Sequence, residues 1–563
     1  MIILRKKIKF KTVEIRKRVQ VINYETERSG LMRRQSIIIL GAIFSLIIMI
    51  SGCEMAGQSK IYSPKELKLD PNERYILTPK ESPKPQINSA KVYGVRPGSP
   101  FLYTIAATGA RPLEFEALGL PEGLTLDKQT GHISGKVDKT GTYKVTLKAV
   151  NPLGSDQREM KIVVGETIVL TPPMGWNSWN CWAGNVSDKN VRDSAKAMVD
   201  SGLINHGWTY INIDDTWQGP RGGEFNAIQG NKKFPDMKGL GDYVHSLGLK
   251  IGIYSTPWIT SYAGYIGGSS DDPNGYWEKA ANYEKNKRFG KYPFDTNDAK
   301  QFAQWGIDYL KYDWHTNDEK HTEQMANALR ASGRDIVFSL SNSAPFDKAA
   351  IWGKLTNCWR TTGDIRDAWS KAQLPPNESQ WAQGVIDIWR QHVRWAPFNG
   401  PGHWADADML VVGRVGWGSP HPTKLTPDEQ YTHISLWCLW SAPLLLGCPL
   451  EQLDDFTANL LTNDEVLALN QDPLGIQAKE ISTEGQTRVL AKNLEDGSKA
   501  VGLFNIGNEP NSLKVTWEQL NITDKQAVRD LWRQKNIGTY KDHFEAMVRP
   551  HGVVLVRIYP EKK

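Results

Sequence analysis

Hydrophobic and polar positions change rhythm three times along the chain. Between about residues 88 and 165, short alternating runs sit between turn signals, the pattern of half-buried strands. Residues 101–105, 141–150 and 158–164 read as strands, and 119–124, with Gly119, Pro121 and Gly123, as a turn-rich connection. From residue 171 the texture changes to short apolar runs alternating with helix-period stretches. The runs 174–176, 210–213, 249–254, 309–312, 336–340, 358–361, 408–411 and 444–446 predict strands. Residues 190–201 carry Val191, Ala195, Met198 and Val199 at helical spacing, and 298–306 and 319–332 behave similarly. Eight such units in about 290 residues predict an α/β fold, a (β/α)8 barrel over 170–470. A doubly wound open sheet is the alternative. It calls for a Gly-rich phosphate turn after the first strand, and Gly175-Trp176-Asn177-Ser178-Trp179 is not one. Beyond Asn470-Gln471-Asp472-Pro473 the helical period stops. Runs at 487–492, 500–505, 513–517, 527–531 and 553–558 predict a C-terminal antiparallel β-domain over 476–563.

The first 53 residues read as an address. Met32-Arg33-Arg34-Gln35 precedes an apolar run over 36–50 that is short for a membrane span, and Ser51-Gly52-Cys53 follows directly. Ile50-Ser51-Gly52-Cys53 resembles the lipobox of bacterial lipoproteins, which implies cleavage before Cys53 and acylation of its thiol. An uncut anchor helix is the alternative. Met32 is well placed as the true start, with residues 1–31 an extension. The expected location is extracytoplasmic, on a bacterial membrane, periplasmic or at the cell surface. Residues 54–85, polar and rich in Lys, Pro and Ser, read as a linker. The segment 124–135 within 86–166 resembles the immunoglobulin-like domain found beside many secreted bacterial hydrolases, and a small β-sandwich serving as a spacer is expected there.

Composition changes this picture little. The net charge of +6 is concentrated in the N-terminal segment, where Arg5, Lys6, Lys7, Lys9 and Lys11 cluster; the body carries no basic stripe that would suit nucleic acid. The five cysteines show no CxxC pairing and no metal-ligand spacing with histidine, and four of them are expected to be buried or loosely paired thiols. Tryptophan is abundant, at 21 residues, and serves core packing or stacking on sugar faces.

The informative residues are acids. In such barrels chemistry gathers where strands end. Asp214 and Asp215 end the second strand, Asp313 the fourth, Asp364 follows the sixth four residues beyond Arg360, and Asp406 and Asp408 lie near the seventh. One such carboxylate alone is as well explained as a helix N-cap. Several at one edge with Lys311, Arg360 and Trp179 suit glycoside cleavage, where one carboxyl attacks or activates water and the other protonates the leaving oxygen. A metal site is the rival use, and Lys311 and Arg360 would repel its cation.

Pro173-Met174-Gly175-Trp176-Asn177-Ser178-Trp179, Asn212-Ile213-Asp214-Asp215-Thr216-Trp217, Gly248-Leu249-Lys250-Ile251-Gly252-Ile253-Tyr254, Tyr309-Leu310-Lys311-Tyr312-Asp313 and Asn470-Gln471-Asp472-Pro473-Leu474-Gly475 together resemble glycoside hydrolase family 27, the melibiase or α-galactosidase family, over roughly 171–560. The resemblance implies a retaining double displacement without a cofactor on an α-galactoside-containing carbohydrate. Asp313 would be the nucleophile and Asp364 the acid/base. Trp179, Asp214, Asp215, Tyr254, Lys311, Ser341, Arg360 and Asp408 would bind substrate. A retaining pair sits about 5–5.5 Å apart, and Lys311 would lower the pKa of the nucleophile. Two departures bear on the substrate. Trp314 and His315 follow Asp313 where many family members soon carry a Cys, the loop 261–268 has no Cys, and Ser341 stands where galactosidases of the family usually carry Glu. Ser341 with Ala344 would make room for an acetamido group, so α-N-acetylgalactosaminide, β-L-arabinopyranoside and isomalto-dextran substrates stand as alternatives. A non-catalytic carbohydrate-binding lipoprotein is the competing class.

Overall fold

The computed structural model describes residues 75–561. The predicted signal segment, Cys53 and the extension 1–31 lie outside the described residues. Eight parallel strands form the central sheet: β1 Met174–Asn177, β2 Tyr210–Asn212, β3 Lys250–Ser255, β4 Tyr309–Asp313, β5 Val337–Ser341, β6 Cys358–Arg360, β7 Trp404–Asp406 and β8 Leu444–Leu446. From β1 to β7 each pairs with the next, and β1 pairs with β8. The seam between β7 and β8 is closed downstream of β7, by a parallel bridge Leu410↔Leu446 with Leu410 N donating to Leu445 O at 2.8 Å.

That seam corrects the seventh predicted strand. The strand is Trp404–Asp406, not 408–411. Asp408 sits at φ 77°, in the left-handed region, which breaks an extended run. The true strand carries too few residues to signal itself by alternation.

The barrel is filled by aromatic and aliphatic side chains. Sixteen of the 21 tryptophans are buried, ten of them fully, among them Trp176, Trp359 and Trp404, so core packing accounts for most of them. The helix Asp188–Asp200 shows how pattern becomes packing. Ser187 caps its start by accepting from Asn190 N, and Val191, Ala195 and Met198 are its buried face. The helix Pro427–Trp440 is buried on all sides because the C-terminal domain covers it. Trp532 Nε1 donates to Ser435 Oγ at 2.9 Å and Thr432 Oγ1 to His551 O at 2.7 Å.

The C-terminal domain is a six-stranded antiparallel sheet and a two-stranded one. Three of its strands were not expected from the sequence: Lys479–Glu484, Lys535–Tyr540 and His543–Val548. The first two are largely exposed, so no apolar alternation marks them.

The N-terminal domain packs two main β-sheets around its own core, including Phe101, Phe115, Ile133, Leu147 and Ile162. It is more than a spacer. It docks on turns that lead into β2, β3 and β5, the face opposite the strand ends that carry the acids. Asn88 Nδ2 donates to Asn205 O at 3.1 Å, Thr104 Oγ1 to Gly248 O at 2.7 Å, and Arg96 N to Asp335 Oδ2 at 2.9 Å. Lys250, the first residue of β3, donates to Tyr93 OH at 2.5 Å. Nor is the end of the expected linker free. Leu77 N donates to Tyr431 OH and Thr78 N to Asn459 Oδ1.

Beneath the barrel, Asp308 just before β4 accepts from Arg334 Nη2 at 2.6 Å and from Ile251 N at 2.9 Å, with His245 Nε2 at 2.8 Å. Burial pushes this carboxyl up, but the Arg334 and His245 charges outweigh it and hold it at about 2, against an ordinary 3.8. A depressed folded pKa stabilises the fold above the unfolded value and ceases to do so as pH falls through about 2. Asp308→Asn is therefore expected to cost about 2 kcal/mol at neutral pH. Its denaturant stability should also decline less than the wild type between pH 4 and 2. Parallel pH curves for the two proteins would contradict this.

Candidate active site

At the C-terminal ends of the strands lies a cavity of about 580 Å³, whose lining includes Trp179, Asp214, Asp215, Tyr254, Lys311, Asp313, Ser341, Arg360, Asp364 and Asp408. The ten residues given catalytic or substrate-binding roles thus meet in one place, while Asp406 and Ala344 do not line it. Strand geometry explains most of it. Lys311 and Asp313 are two apart on β4 and share a face, while Leu310 and Tyr312 turn into the core behind. Register sets Lys311 beside Tyr254 and Asp313 beside Ser341. Gly252 of β3 is fixed by close approach, since a Cβ there would lie 2.0 Å from Asn212 Oδ1.

The acids after β2 are held by β1 and by the loop after β3. Asp214 N donates to Ser178 Oγ at 2.9 Å, and the Asp214 carboxylate receives Lys311 Nζ at 2.8 Å. Asp215 accepts from Thr216 N, Gln218 Nε2 and Ala263 N. Burial raises its pKa against those donors. Lys311 is buried too, which would lower its pKa, but the charges of Asp214 and Asp313 outweigh burial and raise it. It stays an ammonium, an anchor for hydroxyl oxygens and a counter-charge to both acids.

Asp313 differs from the expectation. Burial dominates, the Lys311 charge opposes it, and the negative charges of Asp364 and Asp214 add to it; the carboxyl titrates at about 7. Asp364 differs in the opposite sense. Burial pushes it up, but the Arg360 guanidinium, donating from Nη2 at 2.7 Å, outweighs that and holds it below 3.8. Arg360 is held in turn by Asp408, 3.3 Å from Nη1, and by Thr362 O. Asp408 also acts through its second oxygen: Oδ2 accepts from Ile365 N at 2.8 Å, pinning the segment that carries Asp364. The last proton of the pair therefore rests on Asp313, and it leaves near pH 7. A reaction needing one proton on the pair should have kcat/KM falling as pH rises through about 7. The acid limb should lie below 3.8. A basic limb two units away from 7 would contradict this.

Several lining residues were not singled out in the sequence. Asn342 Nδ2 donates to Asp313 Oδ1 at 2.6 Å, from a backbone at φ 70°. Its place one residue past the β5 end was the only available signal. Tyr262, from the loop noted for lacking Cys, and His315 and Trp381 complete the walls. Because the Asn342 amide stabilises the ionised carboxylate, Asn342→Leu is expected to move the basic limb upward and lower kcat. An unchanged pH profile with reduced stability would make Asn342 merely structural.

A family model described as alpha galactosidase A matches residues 171–286 and 279–472, the segments that build this cavity. The chain belongs to the α-galactosidase family, glycoside hydrolase family 27. Within the same chain the alpha galactosidase C-terminal beta sandwich model matches 484–558, and an Ig domain model matches 84–165. Alpha-galactosidase 2 of Arabidopsis thaliana is 38% identical over 73% of this chain and 94% of its own length. Human alpha-N-acetylgalactosaminidase is 30% identical over 74% and 98%. A solved Bacteroides fragilis structure of the alpha-galactosidase/melibiase type is 34% identical, with a TM-score of 0.76 over 86% of this chain and 99% of that one. The barrel is that of a glycosidase.

Proposed function

We propose that the protein removes terminal α-D-galactosyl residues from oligosaccharides or polysaccharides with retention of configuration. The observation that carries this reading is the meeting of Asp313 and Asp364 in one cavity, with Lys311 and Arg360 beside them. Asp313 attacks the anomeric carbon while the proton of the pair passes from Asp364 to the glycosidic oxygen, so the leaving sugar departs as an alcohol. Asp364, now a carboxylate, takes a proton from water. The resulting hydroxide equivalent displaces Asp313 from the anomeric carbon. To hold that first proton Asp364 must loosen from Arg360 when substrate enters, and the sugar hydroxyls supply new partners for Lys311, Asp214 and Asp215.

Specificity among family activities turns on Ser341. Its hydroxyl accepts from Arg360 Nη1 at only 3.4 Å and adds no charge to the wall, which leaves α-N-acetylgalactosaminide as a second reading. Nitrophenyl α-galactoside, α-N-acetylgalactosaminide, β-L-arabinopyranoside and α-glucoside separate them. Turnover of the α-galactoside above the others supports the proposal, whereas preference for another keeps the mechanism and moves the substrate. Turnover of none would sink it.

We also propose, on the sequence alone, that Cys53 carries a lipid that holds the protein to a bacterial membrane outside the cytoplasm. Mass spectrometry of the mature N-terminus should find acylated Cys53. An unmodified Cys53, or a chain retaining residues before it, would refute the anchor.

A further inference from the structure

Beside the catalytic cavity lies a second one of about 560 Å³, whose lining includes Arg366, Asp367, Leu374, Glu378, Trp417 and Lys424. That size falls within the ~300–1,000 Å³ of sites that hold small organic ligands. One layer of side chains divides the two cavities. Trp381 lines the first and Trp417 the second, and the Arg366 guanidinium lies 4.6 Å and 4.2 Å from their ring centroids. Cation–π contact fixes both indoles. Trp381 nevertheless stays 46% exposed, which leaves indole surface open to a ligand.

The dividing layer is built from the segment that carries Asp364. Arg366 is two residues beyond it. The chain 378–384 is bound to it by Gln383 N donating to Asp364 O at 2.8 Å and Arg366 N to Gln383 O at 2.9 Å. Gly363 lets the two segments close, since a Cβ there would stand 2.2 Å from Trp381 O. In the proposed reaction Asp364 delivers its proton to the departing oxygen, so this side of the cavity faces the leaving group. The second cavity's charges offset each other. Arg366 meets Glu378 at 3.3 Å, and Lys424 approaches Asp367 at 3.9 Å. The Trp417 indole among balanced polar groups suits an uncharged polyhydroxyl ligand.

Resting on the proposed hydrolysis, we infer that this cavity is a leaving-side subsite for a neutral oligosaccharide. Trp381 is the platform for the first sugar beyond the scissile bond, and the Trp417 cavity takes the sugars that follow. The natural substrate is then a glycan with several sugars on the leaving side.

The test compares nitrophenyl α-galactoside with an α-galactosylated mannopentaose on two variants. Trp417→Ala removes a cavity wall, and Leu374→Trp fills the cavity while sparing the Arg366 contacts. In both, KM for the oligosaccharide should rise ~10-fold or more, with kcat/KM for the nitrophenyl substrate held within about 3-fold. An unchanged oligosaccharide KM, or equal losses on both substrates, would overturn the subsite. If the wild type turns over neither substrate, the hydrolytic reading has failed, and calorimetry of the same oligosaccharide with the wild type and both variants decides the cavity. Binding weakened in the variants supports it, and equal or absent binding overturns it.

Discussion

Asp313→Asn is expected to lower kcat on nitrophenyl α-galactoside on the order of 10⁴-fold while the sugar still binds. The amide nearly matches the carboxyl in shape, and Asn342 and the β4–β5 pairing that place residue 313 remain. What is lost is the negative oxygen that forms the glycosyl bond. Since the carboxyl is buried and titrates at about 7, the substitution removes a charge that burial disfavours. The variant should therefore be at least as stable as the wild type. Loss of turnover with retained melting temperature and retained binding of galactose would also exclude a non-catalytic binding protein, which would show no activity to lose. Turnover within tenfold of the wild type would remove Asp313 from the chemistry.

Asp364→Ala should show a different signature. Removing the proton donor is expected to cost about 10²–10⁴-fold on a sugar leaving group, and much less on the first step with nitrophenolate, which departs without a proton. The second step still needs a base, so the glycosyl-enzyme should accumulate and the reaction should show a burst. The fall of kcat/KM above pH 7 should flatten on the nitrophenyl substrate, because its departure from this variant no longer needs the proton that the pair loses near pH 7. The variant also strands Arg360, although Asp408 and Thr362 O still hold it. Equal losses on both leaving groups, without a burst, would make residue 364 an electrostatic support rather than the acid.

Much of the architecture was readable because period and spacing survive translation into packing. The strands around Ile211, Ile251, Leu310 and Leu340 are buried on both faces, so their apolar runs stand out. Asp214 and Asp313 were legible because they close two of those runs, and Asp364 because it stands four residues beyond Arg360. Strand β7 was not, for Trp404-Ala405-Asp406 is too brief to show a rhythm, and Asp408 beyond it turns left-handed. The direction of the Asp313 and Asp364 titrations was hidden for another reason. Lys311 stands two residues before Asp313 and Arg360 four before Asp364 in sequence, but only the fold shows Arg360 bonded to Asp364 while burial dominates at Asp313. Asn342 and Trp381 escaped because each acts across the site from a loop whose course the sequence does not set. The docking of the immunoglobulin-like domain rests on dispersed single contacts such as Lys250 with Tyr93.

The central claim is that Asp313 becomes covalently linked to the sugar. Asp364→Ala, mixed with nitrophenyl α-galactoside and quenched in acid within the burst, should yield a peptide containing Asp313 with one hexosyl ester, found by peptide-mapping mass spectrometry. An adduct on another residue, or no adduct during a demonstrable burst, would contradict the account.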